Sequence, residues 1–247
     1  MTVPPGFARV RSGAWTLVVA DETREWMVPL LLAAETGWRG YGSEPLAGGR
    51  GGACVLRGAP RVVVVRPYRR GGLPARCVRD TYFGWTPRPF RELRVTEALR
   101  RRGAPVPPVL AGAVRWRAPA CYRAWLVTEY VPDSQNLWQW ATHHAGAANA
   151  HVFAAVGRAI RCLHEAGGRH PDLNLHNILL CPSAHGTDVP RVLFLDFDRA
   201  RLDPSRLRPA TAELDRLTRS ARKLDPTGQC VTGADLRALR AAYAEGT

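Results

Sequence analysis

The sequence predicts an α+β protein of two lobes, strand-rich to about residue 130 and helix-rich from 131 to 247. Two observations carry that reading. In the first part apolar residues fall in short β-branched runs bounded by glycine and proline, with Val62 to Val65 the clearest; after residue 131 they recur at three- and four-residue spacing. At 247 residues, 46% hydrophobic and 23% charged, the chain is long enough for one large domain or two small lobes and too apolar for wholesale disorder.

Taken in order, Trp15 to Ala20 reads as a strand, and Asp21 to Ala34 has helical character, which leaves the first strand of the small lobe unplaced. Gly48 to Gly52 is a glycine-rich loop. Beyond it, Ala53 to Arg57 and Val62 to Val65 flank the turn Gly58-Ala59-Pro60 as a hairpin. Phe90, Leu93, Val95, Ala98 and Leu99 recur at mostly helical spacing until Gly103 and Pro105 end the helix. Val109 to Trp116 and Tyr122 to Tyr130 are two strands, and Val131 to Ser134 is a connection. Leu137 to His143 and His151 to Ala166 are helical, as are Ala210 to Lys223 and Ala234 to Tyr243. Ile178 to Leu180 and Val192 to Leu195 read as short strands.

Formal net charge is +14, and between Arg57 and Arg102 thirteen arginines face three acidic residues. Such a field favours an anionic partner: nucleotide phosphates, a phosphorylated glycolipid, an acidic membrane surface or nucleic acid. Arg-biased codon usage would equally explain why Lys223 is the one lysine among 35 basic residues. The six cysteines form no C-x-x-C pair, so zinc and redox motifs are unsupported and reduced thiols are expected. The seven histidines give no compact ligand set; His170 reads as a loop scaffold whose ring bonds nearby backbone. The apolar run Met27 to Ala34 is too short to span a bilayer, so a soluble or peripheral protein is expected.

The chemistry concentrates between His170 and Asp198. There Asp172 is followed five residues later by Asn177, a short apolar strand, a gap, a second apolar strand, and Asp196-Phe197-Asp198. Phosphoryl transfer needs a carboxylate to accept the proton of the attacking hydroxyl and oxygen donors to hold a divalent metal against the phosphates. Asp172 suits the first role; Asn177 and Asp196 suit the second. A lone Asp in a loop is more often a cap or turn residue. The ordered set is far rarer.

From about Gly48 to Asp198 the chain resembles the protein-kinase-like superfamily and, within it, the 3-deoxy-D-manno-octulosonic acid (Kdo) kinases of lipopolysaccharide assembly. The resemblance rests on Arg-Pro-Tyr-Arg-Arg-Gly-Gly-Leu at Arg66 to Leu73, Asp-Thr-Tyr-Phe-Gly-Trp at Asp80 to Trp85, Arg91-Glu92, Pro105-Val106-Pro107, and Asp-Leu-Asn-Leu-His-Asn from Asp172. It implies a kinase-like fold with a reduced helical second lobe and ATP and Mg²⁺ in a cleft between lobes. It also implies transfer of the γ-phosphate to a Kdo hydroxyl, by family the 4-hydroxyl, on a lipid A precursor. The expected location is the cytoplasmic face of the bacterial inner membrane, as a peripheral protein.

The same resemblance assigns further residues. Gly49, Gly51 and Gly52 would donate backbone N–H groups to the phosphates, or serve simply as a turn. With no lysine before Lys223, Arg66 paired with Glu92 would clamp the nucleotide phosphates, with Arg57 or Arg69 as alternatives. Backbone groups from Glu129 to Val131 would meet adenine. Arg69, Arg70 and Arg76, beside Tyr82, Phe83 and Trp85, would take the carboxylate or phosphates of the acceptor or face an acidic membrane; a solvated basic surface is the plain alternative. Nucleic acid is not the expected partner. Pro171 stands where protein kinases carry an arginine, which removes the usual receptor for a phosphorylated activation loop. Asp198 replaces the usual glycine and either joins the metal site or caps the next segment. Other sugar, small-molecule or protein hydroxyls, and a non-catalytic basic adaptor, are the competing readings.

Overall fold

A computed structural model of the chain describes residues 2–46, 52–69, 80–146, 149–182, 189–203 and 211–245. It divides into two compact units, residues 1–97 with 108–130, and residues 98–107 with 131–247.

In chain order the first unit holds β1 (Phe7–Ser12), β2 (Trp15–Ala20), α1 (Arg24–Leu32), β3 (Ser43–Pro45), β4 (Cys54–Leu56), β5 (Val63–Pro67) and β6 (Tyr82–Phe83). Then come α2 (Arg88–Arg101), whose last turn belongs to the second unit, β7 (Val109–Ala118) and β8 (Cys121–Glu129). The sheet is antiparallel in the order β1-β2-β7-β8-β5-β4-β3, with β6 on the start of β8. Period-two alternation splits its residues between two faces. Leu17, Val19, Val63, Val65, Trp125 and Val127 pack with Met27, Leu30 and Leu31 of α1, whereas Val18, Leu126 and Tyr122 pack with Phe90 and Leu93 of α2. Gly112 lets α2 approach: a Cβ there would lie 3.2 Å from Phe90 Cδ1.

The strand that the sequence left unplaced is β3, three exposed residues with no apolar period, paired Ser43 to Leu56 and Pro45 to Cys54. Trp15–Ala20 pairs instead with β7, and β1, also unread from sequence, completes that edge. In sequence the glycine-rich stretch thus falls between β3 and β4, and Leu46 N–H donates to the Ala53 carbonyl at 3.0 Å.

The second unit holds β9 (Gln135–Asn136), α3 (Leu137–His143), α4 (Ala150–Glu165), β10 (Gly168–Arg169), β11 (Ile178–Cys181), β12 (Arg191–Phe194), β13 (Arg201–Leu202), α5 (Thr211–Leu224) and α6 (Gly233–Ala244). Capping boxes start α3 at Asn136 with Gln139 and α6 at Thr232 with Asp235. β11 lies between β12 and β9, and β10 pairs with β13. Gly157 sets how closely α4 meets α6, because a Cβ there would fall 2.2 Å from the Leu239 carbonyl oxygen.

One segment lies across the expected boundary at residue 130: residues 98–107 group with the second unit. Phe194 N–H donates to the Pro105 carbonyl at 2.9 Å, Arg102 Nη1 to the Ala166 carbonyl at 3.1 Å, and a Cβ on Gly168 would stand 2.9 Å from Leu99 Cδ2. The end of the helix and the proline run after it thus pack with α4 and β12. The described cysteines are free thiols. Among the described residues no helix is long and apolar enough to cross a membrane.

Candidate active site

The second unit gathers Asp172, Asn177 and Asp196 through its own backbone. Leu173 and Leu175 are fully buried, so the alternating Asp-Leu-Asn-Leu sequence sinks two leucines and leaves Asp172 exposed. Asn174 Oδ1 accepts from His176 N–H at 3.0 Å and starts the 3-10 turn Leu175–Asn177 that feeds β11. The Asp172 carbonyl accepts from Asn174 Nδ2 at 2.8 Å and from Asn177 Nδ2 at 3.0 Å. The Asn177 carbonyl in turn accepts from Leu195 N–H at 2.9 Å, which brings the residue before Asp196 onto the loop.

His170 makes the second tie. Its Nε2 donates to the Leu195 carbonyl at 2.8 Å, and its ring meets Phe197 at 4.9 Å and 60°. The scaffold role expected for this histidine is what the geometry gives. Between those anchors Asp196 is held at φ 65°, a left-handed conformation costing a non-glycine residue about 1–3 kcal/mol. His170, Pro171, Asp172, Asp196, Asp198, Arg199 and Ala200 line a small open pocket.

The donor set fits a hard divalent cation shared with phosphates. With the Asn177 amide nitrogen occupied by Asp172, its oxygen is the atom left for a metal, and Asp196 adds an exposed carboxylate. Among the described residues no group of three or more His, Cys, Asp or Glu is placed to hold a metal by itself. Two protein oxygens completed by phosphate and water are what such a cation takes in nucleotide sites.

In the first unit β5 presents Arg66 to α2. Arg66 Nη2 lies 2.5 Å from Glu92 Oε1, and the Tyr68 hydroxyl donates to Glu92 Oε2. Glu92 is 2% exposed and Arg66 29%, so the carboxylate is buried while the guanidinium reaches solvent. Tyr68 was not singled out from sequence; its signal was there, since residues two apart on an extended strand share a face. The alternatives are engaged elsewhere. Arg57 pairs with Glu44 at 3.1 Å and lies over the Tyr130 ring at 5.2 Å. The Arg69 guanidinium lies against Gly52, where a Cβ would come 2.7 Å from Nη1. Gly52 is at φ 79°, a left-handed conformation that favours glycine there. Gly49, Gly51, Arg70 and Arg76 lie outside the described residues.

Two of the backbone donors expected to meet adenine are already used. Glu129 N–H donates to the Pro108 carbonyl at 3.0 Å and Tyr130 N–H to the Val62 carbonyl at 3.1 Å. The Val131 carbonyl accepts from Ser134 Oγ at 2.7 Å.

Residues 46–243 match the lipopolysaccharide kinase (Kdo/WaaP) family. The chain is 36% identical over 211 residues to the 3-deoxy-D-manno-octulosonic acid kinase of Xanthomonas oryzae pv. oryzae (strain PXO99A), spanning 84% of this chain and 80% of that protein. To the enzyme of the same name from Xylella fastidiosa (strain M12) it is 35% identical over 214 residues, 83% of this chain and 81% of the relative. WaaP, solved in complex with acyl carrier protein, superposes with a TM-score of 0.58 at 20% identity, covering 94% of this chain and 89% of WaaP. A glucosamine kinase (crystal form A) gives 0.50 at 16% identity, covering 99% and 78%. At these identities the two structures establish a shared kinase-like α+β fold.

Proposed function

The chain belongs to the lipopolysaccharide kinase (Kdo/WaaP) family and is an ATP-dependent sugar kinase, and we propose that it phosphorylates the 4-hydroxyl of Kdo on a lipid A precursor. The observation that carries the reading is the gathering of Asp172, Asn177 and Asp196 by one hydrogen-bonded loop, in a chain 36% identical to a Kdo kinase across most of its length.

In this mechanism the Asp172 carboxylate takes the proton of the acceptor hydroxyl. The hydroxyl oxygen bonds to the γ-phosphorus of ATP, the bond from that phosphorus to the β–γ bridging oxygen breaks, and ADP leaves. Asn177 and Asp196 would hold a divalent metal, Mg²⁺ by its preference for oxygen donors and phosphates; when bound it neutralises charge on the transferring group. Arg66, oriented by Glu92, would contact the phosphates, as would the Arg69 guanidinium that lies against Gly52. Pro171 supplies no charge to answer a phosphorylated loop, so activity is constitutive.

The same reading places the protein peripherally at the cytoplasmic face of the inner membrane. Phe83 and Trp85 are 64% and 77% exposed around the end of β6, next to Tyr82, whose ring lies 5.1 Å from the Arg88 guanidinium. Exposed aromatics beside cations suit the interface of an anionic bilayer.

Purified protein with ATP, Mg²⁺ and Kdo-bearing lipid A precursor, read by mass spectrometry and by NMR of the product, tests the assignment. One phosphate on the Kdo 4-position is the expected result. No transfer to Kdo while another hydroxyl is phosphorylated overturns the substrate. Sedimentation with phosphatidylglycerol vesicles tests the location, and a Trp85→Ser, Phe83→Ser variant that sediments like the parent removes that surface.

A further inference from the structure

Four polar groups from four segments of the second unit form a continuous chain that ends on the Asp172 loop. The Tyr243 hydroxyl on α6 lies 3.0 Å from His164 Nδ1, and His164 Nε2 lies 2.6 Å from Glu213 Oε2 on the first turn of α5. The other oxygen of Glu213 accepts the backbone N–H of His170 at 3.2 Å. His170 is two residues before Asp172, and its ring holds the Leu195 carbonyl next to Asp196. His164 is 7% exposed and Glu213 12%.

The donors and acceptors fit one direction. Burial, chiefly, raises the Tyr243 hydroxyl above its usual value, with Arg169 and Arg161 lowering it and Glu213 and Glu165 raising it, so the phenol keeps its proton. It donates to His164 Nδ1, which leaves Nε2 to donate to Glu213 and the carboxylate to accept from both sides. A carboxylate this little exposed is costly unless its oxygens are used, and here each takes one N–H. The fold supports the alignment: α4 stops at Gly167 with φ 80°, and Gly157 lets α6 approach closely enough to bring Tyr243 to His164.

We propose that Glu213, oriented by His164 and Tyr243, is a positioning residue that fixes the height and direction of the Asp172 loop. The inference rests on the reading of Asp172 as the base of phosphoryl transfer. Glu213 touches no reacting atom; it acts through the His170 amide.

The test compares Glu213→Ala with Glu213→Gln. Alanine removes the acceptor, and since a displacement of about 1 Å near the chemistry costs about 10²-fold, kcat falls about 10- to 100-fold while KM for ATP stays within about twofold. Glutamine retains an oxygen for the His170 amide, and its amide nitrogen donates to Nε2 once His164 adopts the other tautomer and donates from Nδ1 to Tyr243. That variant keeps kcat within about threefold of the parent. Hydrogen–deuterium exchange over residues 168–174 reads the loop without reference to turnover, and only the alanine variant loses protection at the His170 amide. If alanine leaves both kcat per folded molecule and that protection unchanged in an active parent, or if glutamine fails as badly as alanine while folded, the positioning role is wrong. An inactive parent with the same exchange pattern would instead overturn the kinase reading and leave the tether standing.

Discussion

Replacing Arg66 by Met separates what the Arg66–Glu92 pair does for the fold from what it does for the nucleotide. Glu92 is 2% exposed and accepts from both Arg66 and Tyr68, so the variant takes a cationic donor away from a buried carboxylate. Removing one member of a buried pair typically costs about 3–5 kcal/mol. The 29% exposure of Arg66 and the remaining Tyr68 bond bring this case to about 2–3 kcal/mol, a fall in unfolding midpoint of about 4–12 °C. Removing the carboxylate as well, in Arg66→Met, Glu92→Met, exchanges the pair for packing apolar groups and recovers most of that loss. ATP behaves differently. A charge-assisted bond to phosphate contributes about 1.5–3 kcal/mol, so both variants raise KM for ATP about 10- to 150-fold. Thermal unfolding and steady-state kinetics on the three proteins give the assay. A double variant as unstable as the single one refutes the desolvation argument, and an unchanged KM for ATP refutes the phosphate contact.

Asp172→Asn keeps the loop's shape and should lower kcat by about 10²-fold or more with KM for ATP nearly constant; turnover equal to the parent would remove Asp172 from its role. Gly157→Ala forces a methyl into the Leu239 backbone, 2.2 Å away, and should cost about 1–3 kcal/mol of stability despite alanine's better helix propensity, whereas an unchanged unfolding midpoint would contradict the close approach of α4 and α6. At Asp225 burial alone would raise the carboxyl, but N–H groups of Val231, Cys230 and Gln229 and the Thr227 hydroxyl outweigh it and hold it below its usual 3.8. Its native value being the lower one, the stabilisation is present above about pH 4 and is lost as pH falls through the native value. Asp225→Asn should therefore flatten the acid limb of unfolding midpoint against pH, and parallel curves for the two proteins would show that Asp225 contributes nothing to it.

By itself the sequence determined the chemistry, because its signals are local. The five-residue step from Asp172 to Asn177 and the apolar runs holding Asp196 are contained in thirty residues, and the helices Leu137–His143 and Ala150–Glu165 carry their own period. Tertiary structure alone decided what rests on pairing between distant segments. β3 is three exposed residues that form a strand because Cys54 to Leu56 offers hydrogen-bonding partners, and no local propensity marks it. Trp15–Ala20 was legible as a strand, yet its place beside β7 depends on residues nearly a hundred positions away. Residues 98–107 continue a helix of the first unit in sequence but pack with α4 and β12, where Leu99 and Pro105 find their contacts. The same reason hid Glu213. A buried carboxylate is defined by the donors that fold around it, and those of Glu213, at His164 and His170, come from segments more than forty residues earlier.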